Sequence, residues 1–375
     1  MLDCVTQADF GSAEYLGGVF QRARRERVPI CGAFDLTHRC NLRCVHCYVG
    51  HVTDQTRSES GELTTGQVVE LLGAAADAGC LMMLLSGGEP LMRKDFIDIY
   101  EAAKRLGLVL TIFTNASLVT EEHVRAFEEF PPHLVEVSCY GVSETTYERV
   151  TGIPGAFGRV RTGVELLVER GIPLALKTMI LRDNLEEIPA IEAWARDLGI
   201  RFRSDPLVVP RMDGDPTPLR QRVDPEIAVA VEFASPKRRE QAREFIRRHA
   251  RLSEEEGQKS DRLYQCGAGI GSFYLDPLGY MQPCLMSQSI KYNPTEMGFG
   301  NAWKAITEEI DVASLEGKGG CGDCPNILLC GYCPGLFELE NATVEEPPEY
   351  VCRLGRIRHD IIGLKRGEVV NARTD

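Results

Sequence analysis

Ala33-Phe34-Asp35-Leu36-Thr37-His38-Arg39-Cys40-Asn41-Leu42-Arg43-Cys44-Val45-His46-Cys47 is the stretch that decides how the chain is read. It opens as an apolar, strand-like run, 33–37, and closes on three cysteines in C-x3-C-x2-C spacing. Three thiolates hold three irons of a four-iron cubane and leave the fourth iron without a protein ligand, open to a substrate or cofactor. A structural zinc site wants four ligands, commonly as paired C-x2-C, and this spacing supplies three. His46 would have to serve as the fourth from between two of them, which demands a strained loop. Iron–sulfur is the better reading.

Outward from this stretch, strand-like and helix-like segments alternate. Short apolar strands are expected at 81–85, 109–113, 134–138 and 174–179, with a weaker one at 201–203. Helical stretches fall between them near 65–78, 95–106, 121–129, 157–170 and 185–198, with Thr64 or Thr65 capping the first. Gly107, Gly171 and Gly199 follow three of these helices, where a left-handed stop is needed. Six alternations of strand and helix predict an α/β fold, a parallel sheet with right-handed crossovers, open or curled into a partial barrel.

Functional residues in such sheets gather at the carboxyl ends of strands. The three cysteines follow the first strand and Ser86-Gly87-Gly88-Glu89-Pro90 the second. Paired glycines permit close backbone approach, and Glu89 offers a carboxylate to a cation. Asn115 after the third strand and Ser138 at the end of the fourth suit a ribose or a carboxylate. Lys177 interrupts the apolar run Leu174-Ala175-Leu176-Lys177-Thr178-Met179, so it needs either an anionic partner or an edge strand. Cys139 and Tyr140 share this mouth, with Cys139 reading as a small core residue.

At 375 residues the chain is long for one domain and natural for two. Its net charge of −13 argues against nucleic acid as a partner. No apolar run is long enough to span a membrane, and Met1-Leu2-Asp3-Cys4 does not open a signal peptide. Of the 14 cysteines, ten cluster at 40–47 and 266–352, which reads as metal ligation in a reducing compartment, the cytoplasm. Residues 1–31 read as an N-terminal helical segment with a solvated basic face at 22–27, too short for a fused peptide-binding domain. The barrel is expected over 32–215, closing in the four prolines of 205–218, followed by a charged helical linker at 216–260. From 261 to 375 the composition turns to Gly, Pro and Cys, a small cysteine-rich domain ending in a helix.

Cys40, Cys44 and Cys47, with His46 just before the last and Tyr48 just after it, resemble the signature of the radical S-adenosylmethionine (SAM) enzymes. The resemblance implies a partial (β/α)6 radical SAM barrel whose open iron chelates the amino and carboxylate groups of SAM. Reduction of the cluster then cleaves SAM to a 5′-deoxyadenosyl radical that abstracts hydrogen. Gly87, Gly88 and Glu89 resemble the family's GGE motif, which holds the methionine amino group. Tyr48, Asn115 and Ser138 join them as SAM-binding candidates, and the SAM carboxylate becomes the natural partner of Lys177.

The second cysteine group runs Cys266, Cys284, then Cys321-x2-Cys324-x5-Cys330-x2-Cys333, and finally Cys352. Its C-x2-C pairs would suit zinc, but a barrel that consumes electrons favours iron–sulfur. The arrangement resembles the SPASM extension of radical SAM enzymes, one residue short at Gly331-Tyr332. That resemblance implies two auxiliary iron–sulfur clusters. Cys321, Cys324, Cys330 and Cys352 would hold the outer one, and Cys266, Cys284 and Cys333 the one nearer the barrel. Two four-iron clusters want eight ligands and seven cysteines are present, so the inner cluster is expected to keep an open iron, with an Asp or Cys139 as alternative ligands and a smaller two-iron cluster as the other alternative.

The expected activity is therefore a radical SAM/SPASM oxidoreductase that modifies a residue of a ribosomally made peptide by crosslink, thioether or oxidation. The alternatives are maturation of a folded protein, as in sulfatase-maturing relatives, or side-chain chemistry on a tetrapyrrole. A non-catalytic electron carrier would have no use for Gly87, Gly88, Glu89 and Ser138. The expected partners are the peptide, a separate small protein that presents its leader, and a flavodoxin- or ferredoxin-type electron donor. No residue announces itself as the catalytic acid or base.

Overall fold

The computed structural model describes residues 13–50, 61–255, 262–314, 321–322 and 324–362. Residues 1–12 of the expected N-terminal segment, 256–260 of the expected linker and 363–375 of the expected C-terminal domain lie outside the described residues.

After α1 (Ala13–Glu26) the alternation runs β1 (Cys31–Asp35), α2 (Thr65–Asp77), β2 (Met82–Ser86), α3 (Phe96–Arg105) and β3 (Val109–Thr114). It continues through α4 (Glu121–Glu129), β4 (Leu134–Ser138), α5 (Glu144–Thr151), α6 (Ala156–Glu169), β5 (Leu174–Met179), α7 (Ile188–Asp197) and β6 (Arg201–Asp205). Local chemistry sets these limits. Thr64 caps α2 in a capping box with Gln67, and Thr120 and Ser143 cap α4 and α5 through their side chains. The three helix-ending glycines take positive φ, +82° at Gly107, +66° at Gly171 and +69° at Gly199.

Strands β1 to β6 lie side by side in sequence order, each parallel to its neighbour. The sheet is open beyond β6, so Lys177 on β5 is not on an edge. One face is apolar and covered by helices: Leu72 of α2, Ile99 of α3, Val160 of α6 and Ile191 of α7 are fully buried beside Leu110, Val137 and Leu176 of the strands. Each such side chain contributes roughly 1.5–3 kcal/mol by leaving water. Register places Asp35, Ser86, Phe113, Glu136, Ser138, Lys177 and Arg203 together on the opposite face. That face is polar.

The chain leaves the sheet through α8 (Pro225–Glu232) and α9 (Pro236–Glu255) and returns as the hairpin β7 (Ser272–Leu275) and β8 (Met281–Gln282). Asp276 closes the hairpin by accepting from the amides of Leu278 at 3.0 Å and Tyr280 at 2.9 Å, as the Asp276-Pro277-Leu278-Gly279 turn predicts. Sequence reasoning did not foresee where it docks. β7 pairs in parallel with β1, Cys31 opposite Ser272 through Phe34 opposite Leu275, and extends the sheet to eight strands. The remaining helices are α10 (Pro294–Met297), α11 (Phe299–Val312), α12 (Pro334–Asn341) and α13 (Glu349–Ile362). Arg222 fixes α12 with a paired bond to Glu340, 2.7 and 2.6 Å, and lies 4.4 Å from the ring of Tyr350 on α13. Arg358 on α13 bonds Glu232 on α8. Among the described residues no helix is long and apolar enough to cross a membrane.

Candidate active site

The three-cysteine loop is pinned from two sides. Its backbone docks on the end of α5, Arg43 N–H donating to Thr151 O at 2.8 Å and Val45 N–H to Val150 O at 2.9 Å. On the other side, Gly88 N–H donates to Thr37 O at 2.8 Å and Glu89 N–H to Arg39 O at 2.9 Å. Here the paired glycines find their physical reason. A Cβ on Gly87 would sit 2.2 Å from Thr37 O, and one on Gly88 2.4 Å from Arg39 O. The close approach is to the chain's own cysteine loop.

Glu89 is fully buried, and both oxygens are engaged. Oε1 accepts from Thr114 Oγ1 at 2.7 Å and Leu91 N at 3.2 Å, and Oε2 accepts from Asn115 N at 2.6 Å. Burial outweighs these bonds and pushes its pKa up to about 7, so a cation beside it would restore the charged form. Asn115 ties β3 to the loop: its Nδ2 donates to Asn41 Oδ1 at 2.9 Å, and its Oδ1 accepts from Ser117 N at 2.9 Å. Tyr48 is bonded to Ser86, with Asp35 and Cys47 among its neighbours. His46 packs edge-on to Tyr140 with ring centroids 4.5 Å apart, and burial lowers its pKa to about 4, so it is neutral.

Ser138 stands opposite Lys177 in register. Lys177, expected to await an external anion, already has one: its Nζ lies 3.8 Å from Glu136 Oε2 and 2.9 Å from the centroid of the Phe113 ring. Glu136 also takes both arms of Arg203, at 2.9 and 2.6 Å. Burial holds the lysine pKa well below its usual value, against the pull of Glu136. Glu136, Arg203 and Asp35 escaped sequence reasoning. For Asp35 and Glu136 the signal was present, since each interrupts a strand otherwise suited to the core. Asp35 is 2% exposed, accepts from Tyr274 Oη of β7 at 2.9 Å, and is pushed up to about 7 by burial.

The cysteines separate into sets that act on one another electrostatically. Cys44 feels Cys47 and Cys40 at the barrel mouth. Cys284 feels Cys333 and Cys266, while Cys330 feels Cys324, Cys352 and Cys321. None of the described cysteines is in a disulfide. Burial raises the thiols, Cys40 and Cys330 to about 12 and Cys333 to about 11, so thiolates here require a strongly cationic partner. Among the described residues, no three His, Cys, Asp or Glu side chains converge closely enough for a single metal ion. Sets made of thiols alone are the soft donors that iron–sulfur clusters take, and the donor sets fit iron–sulfur. Cys139 is not among the C-terminal sets. It is fully buried, bonds Gly141 O at 3.3 Å and has Glu187 as its charged neighbour.

Comparison with known proteins adds five matches. The family model described as "Radical SAM superfamily" matches residues 34–195. A PqqA peptide cyclase of Bradyrhizobium diazoefficiens is 30% identical over 268 residues, covering 70% of this chain and 68% of that protein. An AdoMet-dependent heme synthase of Methanosarcina barkeri is 28% identical over 342 residues, covering 86% and 97%. In fold, the chain is similar to Streptococcus suis SuiB bound to S-adenosylmethionine, with TM-score 0.66 at 17% identity over 92% of this chain and 84% of that one. It is also similar to anSMEcpe with bound AdoMet, TM-score 0.61 at 14% identity over 92% of this chain and 98% of that one.

Proposed function

The chain belongs to the radical SAM superfamily and is an enzyme of its SPASM type, and from that premise we propose that it modifies a residue of a ribosomally made peptide. A four-iron cluster and SAM are its cofactors, and together they supply hydrogen-atom abstraction. The observation that carries the reading is the junction of the cysteine loop with Glu89 across Gly87 and Gly88, at one end of one sheet.

In this reading Cys40, Cys44 and Cys47 hold the cluster, and Glu89 takes the ammonium of SAM, which offsets the burial of its carboxyl. Tyr48, Asn115 and Ser138 line the nucleoside and carboxylate side, with Lys177 as the cation behind them. Cys321, Cys324, Cys330 and Cys352 hold one auxiliary cluster, and Cys266, Cys284 and Cys333 the other. The domain limits at 32–215, 216–260 and 261–375 belong to the same proposal. So do a cytoplasmic location, a flavodoxin or ferredoxin as reductant, and a small protein that presents the peptide's leader.

The peptide cyclases support the peptide substrate, as does a SuiB structure bound to its precursor peptide. A second reading, an iron tetrapyrrole as substrate, is favoured by the heme synthase match, which runs nearly the length of that protein. Anaerobic incubation with SAM, reductant and either a short peptide encoded beside the gene or an iron tetrapyrrole separates them. A peptide of altered mass is expected. An unchanged peptide with an altered tetrapyrrole would replace the first reading with the second.

A further inference from the structure

We propose that the Tyr332 hydroxyl donates a hydrogen bond to the sulfur of an auxiliary iron–sulfur cluster and so sets that cluster's redox potential. The proposal rests on the reading of the C-terminal cysteines as cluster ligands. Tyr332 sits between Cys330, assigned to one set, and Cys333, assigned to the other. It is only 9% exposed, yet its hydroxyl has no hydrogen-bond partner among the described residues. A buried hydroxyl left unpaired is costly, because its desolvation goes uncompensated. Such a group is normally explained by a partner that is not part of the polypeptide.

Its surroundings say what that partner is. The charged groups that bear on it are thiols, Cys321 and Cys330 from one set and Cys333 and Cys266 from the other. The ring is fixed edge-on to Phe337, centroids 5.3 Å apart at 88°, and Gly331 turns the chain before it at φ +73°. Tyrosine is a proton donor at neutral pH, and cluster sulfurs are the acceptors this space would contain. A reduced cluster bears more negative charge on its sulfurs than an oxidised one. A donor therefore favours the reduced form and raises the potential.

The test is an EPR-monitored redox titration of the full chain with Cys40, Cys44 and Cys47 replaced by Ala, so that only C-terminal clusters contribute. Tyr332→Phe keeps the ring and its packing. Iron and sulfide content should be unchanged, with the midpoint potential of at least one cluster moved to a more negative value. Placing 3,5-difluorotyrosine at 332, a stronger donor, should move the same potential to a more positive value. Unchanged potentials in both proteins at full iron content overturn the assignment. Loss of iron with altered coordination spectra in Tyr332→Phe also overturns it, because the oxygen would then be a ligand. A parent chain without C-terminal iron brings down the cluster reading itself, and the donor with it.

Discussion

Two regions of the molecule treat their buried carboxylates and thiols in opposite ways. At the barrel mouth Glu89 bonds Thr114, Asn115 and Leu91, Glu136 bonds Arg203, and Asp35 bonds Tyr274. The C-terminal region buries thiols whose electrostatic neighbours are other thiols, and a Tyr332 hydroxyl with no partner among the described residues. The carboxylates of the mouth are paired by the polypeptide, whereas the C-terminal thiols, like Cys40, Cys44 and Cys47, are completed only by what they bind. Stability in the first is ordinary folding, and in the second it is linked to metal.

The largest break in this comparison comes from the cysteines. Replacing Cys40, Cys44 and Cys47 with Ala should abolish 5′-deoxyadenosine formation, measured by chromatography, while the C-terminal iron and the barrel's amide protection remain. Replacing Cys321, Cys324, Cys330 and Cys352 should do the reverse to protection, collapsing it over 324–362 and sparing β2 to β5. Equal loss in both regions would erase the distinction.

Asp35 comes next. Its pKa is raised from 3.8 to about 7 in the folded chain, so the native state binds its proton more tightly than the unfolded one. The stability this brings is complete below about pH 4 and is lost as pH rises to about 7, on the order of 4 kcal/mol in all. Asp35→Asn should flatten that slope in the cluster-free protein. Urea unfolding reported by Trp194, with the other tryptophan, Trp303, changed to Phe, would measure it.

The tie between the regions ranks third. Arg222→Ala leaves the partly buried Glu340 unpaired, a loss of about 3 kcal/mol, and should loosen α12 before it disturbs β1 to β5 in hydrogen exchange. The smallest effects belong to single SAM contacts. Glu89→Gln and Lys177→Met should each weaken SAM binding by roughly 1.5–3 kcal/mol with clusters intact, read by calorimetry. Wild-type affinity in Lys177→Met alone would assign that lysine wholly to Glu136.

Much of the barrel was legible because its signals are local. β4 and β5 match their sequence limits, and α4 starts and ends where Thr120 and the loss of periodicity say it should. α5 was missed although Ser143 at its start and Gly152 in the left-handed region at its end both announce it. The pairing of β1 with β7 was illegible for another reason, since it joins residues some 240 apart, Cys31 with Ser272, and β7 is only four residues long. The site was half visible. Cysteines and glycines declare themselves by spacing, whereas the partner of Lys177 depends on which strand lies next to β5, and that is a property of topology.

The pairing of β7 with β1 also bears on how the protein can be cut. A chain ended at residue 260 would appear to stop between modules, yet it would strip Cys31–Phe34 of the strand that covers them. Their backbone N–H and C=O groups would become an open edge, ready to recruit the same strand from another molecule. A barrel prepared that way should form aggregates on purification, and a chimera that borrows a foreign cysteine-rich region should take its joint after Gln282, past the hairpin.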